Sequence, residues 1–273
     1  MSAAAALAGA GAAYRAARRL PDGVRARWER TNHAGMPVTL LEGPAYVAGA
    51  ALGAAVGSRT AASNRSAGSP AGLVAVIGAG GFGALDDLAG DGSSKGFGGH
   101  LRAAARGELT TGAIKIGGLL ATGLAAAALA DRSRGRLGMA TLVGGGVVAG
   151  AANLANLFDL RPGRALKVTV LAGVPLTLGG HPGAPNAAAA VGSALALLPA
   201  DLRGESMLGD TGANAAGALV GLALVERCGP RGRLVALLAL TALTLASEKV
   251  SFTRVIESTP GLRELDAWGR PPR

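Results

Sequence analysis

The stretch Gly138-Met-Ala-Thr-Leu-Val-Gly144-Gly-Gly-Val-Val-Ala-Gly150-Ala-Ala-Asn153-Leu-Ala-Asn156-Leu-Phe-Asp159 decides the reading of the fold. From 137 to 153 it carries no charge, and its length approaches the ~20 residues an α-helix needs to cross a ~30 Å hydrocarbon core. It is built from Ala, Gly, Leu and Val rather than Ile and Phe. Gly144, Gly145, Gly146 and Gly150 let helix backbones approach closely, and inside a bilayer such packing replaces the hydrophobic effect between helices. At its end Asn153, Asn156 and Asp159 follow at i, i+3 and i+6, a spacing that sets all three on one helical stripe.

The same pattern repeats along the chain. Largely uncharged segments run at 1–14, 38–57 (with Glu42), 71–85, 113–130 (with Lys115), 137–153, 165–180, 184–200, 211–225 and 231–247. Nine such stretches predict an all-α polytopic membrane protein of about nine transmembrane helices with one cytoplasm-facing polar cleft. The membrane domain would cover 1–247 and a cytoplasmic tail, part of the same functional unit, 248–273. A net charge of +10 beside a mean hydropathy of +0.37 fits this segregation of basic and apolar segments. An alanine-rich soluble bundle would need a polar face on each helix, and these stretches have almost none. Cys228 is the only cysteine, which excludes an internal disulfide or a cysteine zinc cluster. The alanine run at 3–6 has no basic region before it, so no signal peptide is expected.

Charge sets the expected topology. If nine spans alternate sides, the loops at 15–37, 86–112, 154–167 and 201–210, the tail after 247 and Lys115 share one side and hold 19 of the 27 lysines and arginines. That excess marks the side as cytoplasmic, and the expected location is the inner, plasma membrane. The Arg132, Arg134, Arg136 cluster runs against this count.

One motif misleads. Val74-Ala-Val-Ile-Gly78-Ala-Gly80-Gly-Phe-Gly83 has the form of a strand followed by the dinucleotide-binding glycine turn. The amphipathic helix and the later acidic residue that such a turn requires are missing, because the glycines lead into Leu85-Asp86-Asp87 and the following window offers Gly98, Gly99 and His100. A glycine-rich transmembrane helix is the better reading.

Polar clusters gather on the predicted cytoplasmic face. Asp86 and Asp87 sit at the mouth of a span, where adjacent carboxylates are costly unless a cation or proton neutralises them. Asn153, Asn156 and Asp159, then Gly209-Asp210-Thr211-Gly212, and the run Lys95 to His100 with Thr110, Thr111 and Lys115 fall on the same side. Acids from separate helices that converge beside Lys and His are what a diphosphate with Mg²⁺ requires.

These clusters resemble the successive motifs of the polyprenyl-phosphate N-acetylhexosamine-1-phosphate transferases. The motifs that carry the resemblance are Ala84-Leu-Asp86-Asp87, Lys95-Gly-x-x-Gly-His100, Asn153-x-x-Asn156-x-x-Asp159 and Leu208-Gly209-Asp210-Thr211-Gly212, with Gly35-x-Pro37 and Gly43 fitting more loosely. They come in family order between about residues 32 and 217. The superfamily includes phospho-N-acetylmuramoyl-pentapeptide transferase. The resemblance implies that a polyprenyl phosphate attacks a UDP-sugar with Mg²⁺, giving polyprenyl-diphosphate-sugar and UMP. It implies Asp210 as principal metal ligand, with Asp86 and Asp87 beside metal and lipid phosphate. It implies Asn153, Asn156 and Asp159 on the nucleotide side, and Lys115, Lys95 and His100 near the diphosphate. The partners expected are polyprenyl phosphate, a nucleotide sugar and membrane lipids, not nucleic acid; a homodimer stays open.

The sequence also departs from that family. The aromatic usual three residues before the metal aspartate is Met207, the second acid after the asparagine motif is replaced in Asp159-Leu-Arg161-Pro-Gly163, and the late histidine motif is absent, the only histidines being His33, His100 and His181. In its place stands the tail with Lys249, Arg254, Glu257, Arg263, Asp266 and Arg270. Two readings stay open. Either Lys249, Arg254 and Arg270 supply replacement phosphate ligands, or the tail is an amphipathic helix on the bilayer surface.

Overall fold

The computed structural model of the chain describes residues 1–32, 35–63, 70–89 and 111–271. It is mostly helical. A first helix α1 (Ser2–Ala17) leads into a short α2 (Asp22–Arg25), a 3-10 turn (Ala26–Trp28) and a hairpin of β1 (Glu29–Thr31) and β2 (Pro37–Thr39). Then come α3 (Glu42–Ser63), α4 (Ala71–Ala89), α5 (Thr111–Arg132), α6 (Met139–Phe158), α7 (Arg164–Thr177), α8 (Ala184–Leu202), α9 (Gly209–Arg227), α10 (Pro230–Ser247) and two tail helices, α11 (Phe252–Ser258) and α12 (Leu262–Ala267). Each of the nine uncharged stretches overlaps one long helix. Three of these, α4, α5 and α6, are individually long and apolar enough to cross a membrane, and α10 with α11, bent by 90°, makes a fourth if the pair counts as one span. That composition fits a membrane location. The glycines of the misleading 74–83 motif lie inside α4, as a helical reading requires.

The sheet is a departure from an all-helical expectation. β1 pairs antiparallel with β2 in the register Glu29–Thr39, Arg30–Val38 and Thr31–Pro37, so the apolar stretch from residue 38 starts as a strand. Val38 and Thr39 are β-branched and favour extended backbone. The hairpin is tied to the loop before α9, where the Met207 N–H donates to the Thr39 carbonyl at 3.0 Å.

Helix α9 is the axis of the bundle. It is buried on every side and packs against α3, α4, α6, α7 and α8. A helix so enclosed needs small residues, and two positions show why. At Gly217 an added Cβ would sit 2.2 Å from the Ala151 carbonyl oxygen of α6, and at Gly83 2.2 Å from the Asp210 carbonyl oxygen. Gly83 therefore lets the last turn of α4 close onto the first turn of α9. By contrast α10 buries only Arg233 and leans on α6 through Leu237 and Leu240, opposite Gly146 and Gly150. Its Leu234, Val235, Leu238, Leu243 and Leu245 are exposed.

The C-terminal ends of α5 and α9 are closed by buried ion pairs. Arg233 grips Asp131 with two bonds of 2.7 Å, and Thr141 donates to the same carboxylate at 2.8 Å. The remaining Arg233 donors meet the carbonyls of Val225 and Ala140, each at 3.1 Å. Beside it Glu226 accepts from Arg134 at 2.8 Å and Asn186 at 2.7 Å. Every carboxylate oxygen in this group has a donor.

Candidate functional site

The opposite ends of the same two helices carry a different arrangement. Asp87, in the last turn of α4, turns its carboxylate onto the N-terminus of α9: Oδ1 accepts the Asp210 N–H at 3.0 Å, and Oδ2 accepts the Thr211 N–H at 2.9 Å and the Thr211 hydroxyl at 2.6 Å. The first N–H groups of a helix have no partner within it, and a carboxylate there satisfies them and complements the helix dipole. Asp87 therefore fixes where α9 begins and where Asp210 projects. Arg30 of β1 donates to the Asp87 carbonyl and ties the hairpin to this turn.

Asp86 and Asp210 meet at Lys115. The Lys115 ammonium, near the start of α5, lies 3.4 Å from Asp86 Oδ2 and pairs with Asp210 Oδ2. All three side chains are largely but not wholly enclosed. Two carboxylates that present oxygens to one cation make a hard, oxygen-only donor set, the chemistry that suits Mg²⁺. Among the described residues no group of three or more His, Cys, Asp or Glu stands close enough to hold a metal alone. Mg²⁺ commonly keeps waters and is held through one or two carboxylates plus substrate phosphates, so the pair fits that ion when an anionic substrate completes the shell.

Behind this pair lies a second set of acids. Asp159 ends α6 close to the Gly209 N–H; burial, together with nearby Asp201, pushes its carboxyl well above the ordinary range. Asp201, just past the 184–200 stretch, is buried in the last turn of α8. Glu42, wholly buried at the start of α3, accepts from the Ser206 hydroxyl. One oxygen of each of the three, Glu42 Oε1, Asp159 Oδ2 and Asp201 Oδ2, is buried without a donor among the described residues. Such groups are costly as anions and strengthen each other's hold on protons.

Several residues predicted from the sequence stand apart. Asn153 and Asn156 are half-buried on α6, on the helix that ends at Asp159. Lys95 and His100 fall outside the described residues. Lys249 and Arg254 are exposed on the tail, and Glu257, which lies one turn from Arg254, pairs instead with Arg161 at 3.0 Å.

The tail itself is docked. Arg164 makes a two-bond grip on Asp266 at 2.7 and 2.9 Å and donates to Thr253 at 2.8 Å. Lys167 donates to the Asp266 and Leu265 carbonyls at 2.6 and 3.2 Å, Arg270 to the Pro162 carbonyl at 2.8 Å. Phe252 stacks on Phe158 with ring centroids 5.3 Å apart. Burial alone would raise the Asp266 carboxyl, but Arg164 and Arg270 hold it below its ordinary value. Arg270 is thus engaged with the protein's own tail and the 159–163 turn. The sequence analysis assigned no role to Glu42, Asp201, Arg164 or Asp266; the one signal for the first was a lone charge inside an apolar stretch.

Compared with protein-family models and with curated proteins, the chain matches none.

Proposed function

We propose that the protein transfers a sugar-1-phosphate from a UDP-sugar to a polyprenyl phosphate, releasing UMP, at the cytoplasmic face of the inner membrane as a step in cell-envelope glycan synthesis. The observation that carries the reading is the convergence of Asp86 and Asp210 on Lys115 at the capped start of α9, because these residues come from three of the motifs or spans that resemble the transferase family. In this reading all nine long helices span the bilayer and the acid-rich end opens as a polar cleft to the cytoplasm.

The chemistry is phosphoryl transfer, in which positioning and charge stabilisation do most of the work. An oxygen of the lipid phosphate forms the new bond to the sugar-linked phosphorus, and the bond from that phosphorus to the UMP oxygen breaks. Asp210 and Asp86 would hold Mg²⁺, which would supply neutralisation of the diphosphate charge. Lys115 adds a second cation beside the transferred phosphoryl group. Asp87 acts through α9, keeping Asp210 at the rim. Asn153, Asn156 and Asp159 hold the nucleotide side.

A second reading is a catalytically silent relative that binds lipid phosphate or assists envelope assembly. The docking of Arg270 onto Asp266 favours it, since that arginine would otherwise be a candidate to replace the missing histidine motif. Purified protein incubated with polyprenyl phosphate, Mg²⁺ and a panel of UDP-sugars separates the two: UMP release supports transfer, and its absence with every sugar supports the silent relative.

A further inference from the structure

On the other face of the hairpin lies a cleft that the proposed reaction does not use. It occupies about 220 Å³ between the end of α1, α2, the hairpin and the turn before α9, and is lined by Tyr14, Arg18, Arg25, Glu29, Thr39 and Glu205 among others. Neighbouring strand residues point to opposite faces: Arg30 reaches back to Asp87, whereas Glu29 lines the cleft. The two sites are therefore separated by the hairpin.

Two buried donors in this cleft have no acceptor among the described residues. The Tyr14 hydroxyl lies beside Ser206 without meeting hydrogen-bond geometry, and Ser206 gives its own proton to Glu42. The Arg25 Nε is likewise buried and unpartnered, although its terminal nitrogens engage Asp22 and the Arg18 carbonyl. Arg18 completes the set, its guanidinium 6.0 Å from the centre of the Tyr14 ring. The acid of the turn, Glu205, is already neutralised by Arg18 at 3.1 Å and Arg203 at 2.6 Å. Buried polar groups almost always find partners, and donors without acceptors ask for an acceptor-rich guest. A phosphate group offers several strong acceptor oxygens and is the anion that guanidinium donors fit best. The surrounding segment adds Arg15, Arg19 and Arg27 against Asp22 and Glu29, a surplus that attracts anions.

We propose that this cleft binds a phosphate group through Tyr14, Arg18 and Arg25, at a site distinct from the Asp86–Asp210 pair. The phosphate can come from an anionic lipid headgroup or from solution. Either source makes the same contacts, and the proposal does not depend on the transfer reaction.

Trp28 adjoins the cleft in sequence, and the only other tryptophan, Trp268, is 70% exposed. A Trp268→Phe protein in phosphate-free detergent, or in nanodiscs, therefore reports on the cleft through Trp28 fluorescence. Titration with inorganic phosphate, and separately a series of nanodiscs with rising phosphatidylglycerol in phosphatidylcholine, should give a saturable change in at least one arm, and the arm that responds identifies the source. Tyr14→Phe, which keeps the ring and removes only the hydroxyl, should weaken that response roughly ten-fold or more, as should Arg25→Gln. Tyr14→Phe should also unfold no more easily than the parent without phosphate, since it deletes a buried donor that lacks a partner. No saturable response in either arm, a response matched by chloride at equal ionic strength, or unchanged affinity in both variants would overturn the site.

Discussion

Helices α5 and α9 each carry a charged residue near both ends: Lys115 and Asp131 on one, Asp210 and Glu226 on the other. Sixteen helical residues separate the members of each pair, about 24 Å at 1.5 Å per residue. The two ends treat charge in opposite ways. At the Asp131–Glu226 end each acid meets an arginine and a further donor, and nothing is left over. At the Asp210 end six acids, Glu42, Asp86, Asp87, Asp159, Asp201 and Asp210, gather around few cations among the described residues, and three of their buried oxygens find no donor among those residues. A buried ion network that is fully satisfied closes a bundle. One with excess negative charge costs stability unless a cation or an anionic substrate with its cation completes it, and such sites are where function resides. The closed end also accounts for one member of the Arg132, Arg134, Arg136 cluster, since Arg134 is paired with Glu226 within the fold.

The comparison can be broken most strongly at Asp210. Asp210→Asn should lower UMP release by at least roughly 10²- to 10³-fold, the scale for losing one preorganised charge at a reacting group; activity near wild type at limiting Mg²⁺ would count against the site. At the closed end, Arg233→Met leaves Asp131 buried without its partner and should cost about 3–5 kcal/mol, read as a shift in denaturation midpoint. Adding Asp131→Leu should recover most of that loss, because the penalty belongs to the stranded charge and not to the absent pair.

Smaller effects sharpen the picture. Asp266→Asn removes the anion that Arg164 grips, and its charge-assisted bonds, at about 1.5–3 kcal/mol, hold the tail rather than the bundle. Limited proteolysis should then release residues after about 250 while the remaining core resists. Arg254→Ala should change least, within about 0.5 kcal/mol in stability, with turnover unchanged, because the residue is exposed and the tail is held elsewhere.

How much of this was legible in the sequence depended on the range of the interaction. Period and composition located the long helices, because the absence of charge over 15 to 20 residues is a local property. Asp86, Asp159 and Asp210 stood out as acids at the ends of apolar stretches, and they lie at one end of the bundle. The division of labour between Asp86 and Asp87 was not legible, since adjacent acids look alike until α9 arrives against Gly83 and claims one as its cap. The hairpin was hidden because Val38 and Thr39 read as the start of an apolar helix. Arg164 and Asp266 are 102 positions apart, and no spacing rule connects residues at that distance. The sequence therefore left the tail open between substrate ligands and a surface helix, and Arg270 in fact holds the tail against the 159–163 turn.

The most direct test is the thermal unfolding of Asp210→Asn beside Arg233→Met in the same detergent. If the acid-rich end is kept for function, the asparagine relieves charge that the fold does not need and the protein unfolds at or above the wild-type temperature, while Arg233→Met unfolds well below it. A loss of stability in Asp210→Asn as large as that in Arg233→Met would mean that Asp210 and Lys115 form a structural ion pair like the one at the closed end, and the distinction between the two ends would fall.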